Sequence, residues 1–163
     1  MGKFTKFGSL FLGAALLAGC ASSNTMVLQR NTTSYKASNV TLEYGAGTID
    51  VEADSVTELQ AYMREEFYEN NPVFAEGSGL TVKYGFVTFD EGSQLGRYML
   101  GGLAGGEAKM VIRAEFFDAA GNSLSVINAE GTVSAGLLGG DAGSGLRSAA
   151  KEIAAYAAAN FAQ

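Results

Sequence analysis

The pattern of apolar residues along this chain predicts an α+β fold, a two-layer sandwich of β-α-β-β-β-α order in which a mostly antiparallel sheet carries two helices on one face. Three observations predict it. Two stretches repeat apolar residues every three or four positions, four runs alternate apolar with polar residues, and a turn sequence folds two of those runs back on each other.

The first strand falls at Val40 to Tyr44, where Val40, Leu42 and Tyr44 share a face, with a weaker continuation through Thr48 to Glu52. Ser55 followed by Glu58 has the spacing of a capping box, in which side chains satisfy the free N–H groups of a helix start. Behind it, Val56, Leu59, Met63 and Phe67 form an apolar stripe that ends before Asn70-Asn71-Pro72, because proline cannot continue a helix. The second strand, Leu80 to Phe89, sets Leu80, Val82, Tyr84 and Phe86 against Thr81, Lys83 and Gly85. Val87 and Phe89 then change parity, which places a bulge near Gly85 or Phe86.

The third strand runs from Ala108 to Asp118, with Met110, Ile112, Ala114 and Phe116 on one face and Val111, Arg113, Glu115 and Phe117 on the other. Ala119-Ala120-Gly121-Asn122 is a hairpin turn, and Ser123 to Ser134 is the returning strand. An Ala-rich helix from Ala142 to Phe161 closes the chain. Its narrow stripe of Leu146, Ala149, Ala150, Ile153, Ala157 and Phe161 predicts close packing, since Ala lets backbones approach. In this topology the loops that follow the second and fourth strands lie at one end of the sheet, and these loops hold most of the glycines that follow residue 91.

The N-terminus reads as an address. Lys3 and Lys6 precede an apolar run from Phe7 to Ala18, too short to span a bilayer, that ends in Leu17-Ala18-Gly19-Cys20. This resembles the lipobox of bacterial lipoproteins, with cleavage between Gly19 and Cys20, a signal peptide over 1–19, and lipidation of Cys20. The lipid chains would make a membrane anchor. Ala21 stands where an Asp would resemble the inner-membrane retention signal, so sorting to the outer membrane, facing the periplasm, is favoured. Residues 20–39, rich in Ser, Thr and Asn, read as a flexible tether, and 40–163 as a single domain.

Composition excludes several kinds of chemistry. There is no His and one Cys, which the lipid consumes, so a Ser-His-Asp set, a zinc site and a disulfide framework are excluded. No cofactor or metal site is expected, and no catalytic residues are assigned. From Cys20 onward, nine basic residues face seventeen acidic ones, and this balance disfavours nucleic acid and anionic headgroups as partners.

Three segments carry a family resemblance: Gly92-Ser93-Gln94-Leu95-Gly96-Arg97, the Gly-rich turn Gly101-Gly102-Leu103-Ala104-Gly105-Gly106 entering a strand, and the Asp118-Ala119-Ala120-Gly121 hairpin. Together they resemble a family of bacterial envelope lipoproteins catalogued as a domain of unknown function. The resemblance is best from Phe86 to the C-terminus and implies a secreted lipoprotein domain with no assigned activity.

The candidate binding residues are Arg97, Tyr98, Gly101, Gly102, Gly105, Gly106 and Arg147. Arg97 beside the glycines, with Arg147 in the first turns of the last helix, can hold an anion such as phosphate or a carboxylate. Arg97 can equally close its loop on Asp90 or Glu91. Tyr98-Met99-Leu100 and Leu137-Leu138 can form a docking surface or complete the core. Two functional readings follow. One is a non-catalytic, lipid-anchored module that binds an envelope protein or a second copy of itself. The other is a small-ligand or anion-binding accessory domain of an envelope transport or secretion system.

Overall fold

A computed structural model describes residues 25–70, 72–90, 108–133 and 142–163. The fold is α+β. In chain order it comprises β1 (Thr25–Gln29), β2 (Asn39–Tyr44), α1 (Ala53–Arg64) running into a π-helical turn (Glu65–Glu69), β3 (Ala75–Glu76), β4 (Leu80–Asp90), β5 (Ala108–Phe117), β6 (Ser123–Val133) and α2 (Ala142–Phe161). The six strands form one sheet in the order β1-β6-β5-β4-β2-β3.

Alternation decides which face of the sheet is covered. Leu80, Val82, Tyr84 and Phe86 of β4, Met110, Ile112, Ala114 and Phe116 of β5, and Ile127 and Ala129 of β6 are all buried. They form one cluster with Leu59, Met63 and Phe67 of the first helical segment and Leu146, Ile153 and Phe161 of α2. Each of those apolar stripes is therefore a contact surface, as the periodicity predicts. The opposite face is half-exposed and polar, with Lys83 paired to Glu43 at 3.3 Å and Arg113 donating to Asn128 at 3.4 Å.

Four features depart from the sequence reading. The sheet is mostly antiparallel, as expected, but it is mixed, with a parallel portion that the sequence reading does not include. β4, β5, β6 and β1 pair antiparallel in succession, whereas β2 runs parallel to both β4 and β3. Parallel pairing needs a long crossover, and α1 supplies it between β2 and β4. The helix starts at Ala53, with Glu52 as its cap and no side-chain capping bond. Ser55 thus lies inside the first turn, and the capping box does not form.

The third departure is β1, which lies within the segment expected to be a tether. Its residues pair with β6 from Thr25↔Ala129 to Gln29↔Val126. Met26-Val27-Leu28 is a short run of strand-forming character, and β6 would otherwise present an open edge. The fourth departure is β3, a two-residue strand absent from the sequence reading. The bulge falls beside its expected place, where the β4–β5 register shifts between Phe86 and Thr88. Past Tyr44 the chain still follows β4, with Gly45 and Thr48 N–H groups donating to Tyr84 and Phe86 carbonyls, both at 2.8 Å.

Gly131 explains how closely α2 sits on the sheet. A Cβ at Gly131 would collide with the carbonyl oxygen of Gly145 and come within 2.9 Å of Met110 Cγ. The missing side chain of Gly131 therefore lets the first turn of α2 rest backbone-to-backbone on β6. At the other end of β6, Gly121 takes φ +84° in the hairpin. Asp118 holds that turn by accepting from the Ala120 and Asn122 N–H groups at 2.9 and 2.8 Å.

Candidate functional site

The ends of β4, β5 and β6 converge. Asp90 pairs with Lys109 and Ala108 with Val133, so the residues flanking segments 91–107 and 134–141 meet at one end of the sheet. The Gly131–Gly145 contact brings the first turn of α2 to β6 near that same end. Gly19, Cys20, Arg97, Tyr98, Gly101, Gly102, Gly105 and Gly106 lie outside the described residues, as do Tyr98-Met99-Leu100 and Leu137-Leu138. Of the candidate binding residues, only Arg147 is described.

Arg147 is engaged with the first helical segment. Its Nη1 donates to Glu65 Oε1 at 2.6 Å, and its guanidinium lies 4.4 Å from the centroid of the Tyr62 ring. Tyr62 donates its hydroxyl to Glu58 at 2.8 Å, and Asn70 donates to Glu65 and Glu66 at 3.2 and 2.9 Å. The hydrogen bond from Arg147 holds the Glu65 carboxyl below its usual range. The Tyr62 phenol is raised, chiefly by its hydrogen bond to Glu58. This arrangement ties α2 to α1 and neutralises the charge that the sequence reading offers to an anion.

Other candidate chemistry is sparse. A groove of about 140 Å³ lies between the π-helical turn and α2, lined by Phe67, Val73, Phe74, Ala154, Ala155 and Ala158. It is smaller than the 300 Å³ or so at which ligand pockets begin. The Tyr84 phenol is pushed up to about 12, first by burial. Among the described residues no group of three or more His, Cys, Asp or Glu is placed to hold a metal ion, and no helix is long and apolar enough to cross a membrane.

The feature missed by the sequence reading is the β1 edge. Ser125, fully buried, donates to the Gln29 carbonyl at 2.7 Å, and its oxygen lies 2.7 Å from the Tyr156 hydroxyl. A serine has one proton to donate, so Tyr156 donates to Ser125 and the chain of bonds clamps β1 to β6 and α2. Yet the strand's own apolar side chains face outward. Met26 is 63% exposed, Leu28 48% and Val27 37%, three of the six large exposed hydrophobic residues described. No described strand pairs with the outer edge of β1. The run Thr25-Met26-Val27-Leu28-Gln29 is the sequence signal that could have found it.

Charge is also unevenly placed. Between Cys20 and Leu42 there are two basic residues, Arg30 and Lys36, and no acidic one. All seventeen acidic residues lie from Glu43 onward, against seven basic ones. Arg30 and Lys36 are exposed, and neither makes an ion pair with a described residue.

No family model matches the chain, and no curated protein matches it. Among solved structures it is similar to the PelC dodecamer from Paraburkholderia phytofirmans in two crystal forms. A leucine-to-methionine variant in space group C2 aligns with TM-score 0.47 and 15% identity, covering 85% of this chain and 98% of the other. The form in space group P6 aligns with TM-score 0.45 and 11% identity, covering 86% and 98%.

Proposed function

We propose that this protein is a non-catalytic bacterial envelope lipoprotein, anchored through lipid on Cys20 and serving as an interaction or assembly module on the periplasmic face of the outer membrane. The observation that carries this reading is the Leu17-Ala18-Gly19-Cys20 sequence standing four residues before the first described strand. Signal cleavage there keeps every described residue in the mature protein. The absence of His from the chain supports a binding rather than a catalytic role. The three motif segments between Gly92 and Gly121 support membership of the envelope lipoprotein family of unknown function.

The partner is an envelope protein or a second copy of the chain. The anion-binding alternative rests on Arg97, which lies outside the described residues, together with Arg147, from which a ligand would have to displace Glu65 at 2.6 Å. The test of the anchor is metabolic labelling with a fatty acid, followed by membrane fractionation. Wild type is expected to carry the label and sediment with the outer membrane, while Cys20→Ala loses both. Label retained by Cys20→Ala overturns the assignment of the lipidation site. Crosslinking in intact envelopes, with Gly101, Gly102, Gly105 and Gly106 replaced by Ser, tests whether the Gly-rich end carries the partner contact.

A further inference from the structure

We propose that the β1 edge, with Met26 and Leu28 leading and Arg30 beside them, seats on the headgroup layer of the leaflet that holds the Cys20 lipid. This rests on the lipoprotein reading and adds an orientation to it. Four residues separate Cys20 from Thr25, so even a fully extended chain keeps the start of β1 within about 17 Å of the anchor, and Leu28 within about 27 Å. β1 is the described element nearest to the anchor along the chain.

The surface presented there suits that neighbour. Met26 is the most exposed of the large hydrophobic residues described, and Leu28 is half-exposed two positions on. Apolar side chains at this depth enter the boundary between headgroups and acyl chains, and an arginine lays its stem along them while its guanidinium reaches a phosphate. Charge acts in the same direction. Arg30 and Lys36 stand in a stretch without acidic residues, whereas the chain from Glu43 onward is strongly acidic and is repelled by anionic headgroups. The net charge alone predicts repulsion from such a surface, and Glu152 accepts from Thr25 at 3.4 Å beside the start of β1, so Arg30 is the cation on which the electrostatic part of the proposal rests.

The lipid occupies the only native thiol, so an introduced cysteine gives a unique labelling site. Full-length lipidated protein carrying Met26→Cys, or Ala75→Cys on β3, is labelled with an environment-sensitive fluorophore. It is then placed in vesicles of phosphatidylethanolamine and phosphatidylglycerol containing a nitroxide lipid. Five strand spacings separate the two positions, about 24 Å across the sheet. Quenching at position 26 is expected to exceed that at 75 about threefold or more, since only the first reaches the interface. Arg30→Glu should lower it in these vesicles and leave it unchanged in phosphatidylcholine alone.

Equal quenching at both positions, with the protein still bound to vesicles, overturns the proposal and leaves the lipid anchor standing. A probe at 26 that is shielded without being quenched, and that crosslinks to another copy, overturns it in favour of strand pairing between copies. Failure to float with vesicles, together with no fatty acid uptake, removes the lipoprotein reading and the proposal with it.

Discussion

The two edges of the sheet end in opposite ways. At the β3 edge the strand is two residues long, and Arg64 grips Glu76 through two contacts of 3.2 Å while lying 5.5 Å from the Tyr68 ring centroid. A short, charged edge of this kind discourages pairing with another chain. At the β1 edge five residues run in strand, held from behind by Ser125 and Tyr156, with Met26 and Leu28 left outside. The difference teaches that exposure at β1 is not slack packing, because the strand is clamped while its outer surface is left apolar. One edge is closed by chemistry, and the other leaves apolar side chains exposed.

The largest test of this contrast acts on the platform beneath β1. Gly131→Val would force a side chain into the Gly145 carbonyl and Met110, and it is expected to destabilise the fold by about 3 kcal/mol in urea unfolding. A loss within 0.5 kcal/mol or so would mean that α2 can lift off β6 freely, contradicting the close approach. Next comes the clamp. Ser125→Ala leaves the Gln29 carbonyl and the Tyr156 hydroxyl without this partner, so about 1–2 kcal/mol should be lost. Hydrogen exchange should accelerate at β1 amides and stay unchanged at β2. Faster exchange at both would show that β1 is not held separately.

A smaller effect is expected from the exposed residues themselves. Met26→Ser with Leu28→Ser should change stability by no more than about 0.5 kcal/mol, because both side chains are largely outside the core. A large loss of stability would place them in a covered surface. The smallest effect concerns the β3 edge and Arg147. Glu76 and Glu65 are held below the usual carboxylate range by hydrogen bonds from Arg64 and Arg147 respectively. Their contribution is present above the ordinary glutamate value and is lost as pH falls through the lowered ones. Arg64→Met should therefore raise the Glu76 titration in an NMR pH series, with only a slight upward move of the acid unfolding midpoint. Both groups are exposed, so added salt should shrink the difference. No change in the Glu76 titration would show that the β3 edge is not closed by this pair.

Legibility followed element length. α2 spans Ala142–Phe161 as its stripe indicated, because twenty residues carry the 3.6 period through several turns. β4, β5 and β6 were equally readable, each ten or eleven residues long with alternation on either side of any bulge. β1 and β3 were not, since five and two residues are too few for a period to stand above composition. The candidate site was less legible. Arg147 could be singled out as a cation, but its partner Glu65 lies 82 positions away on another helical segment, and only the packing of α2 on α1 joins them.

By itself, the sequence determined the faces: which residues turn inward is set by side-chain period, a local property written in consecutive positions. It also supplied the Cys20 motif and the absence of His, both properties of residue identity. Tertiary structure decided which strands are neighbours. The parallel pairing of β2 with β4, the recruitment of β1 to β6, and the backbone contact of Gly131 with Gly145 depend on groups distant in sequence meeting in space. A hydrogen-bonding edge is satisfied by whichever segment the fold brings to it, and no local pattern of residues specifies that partner.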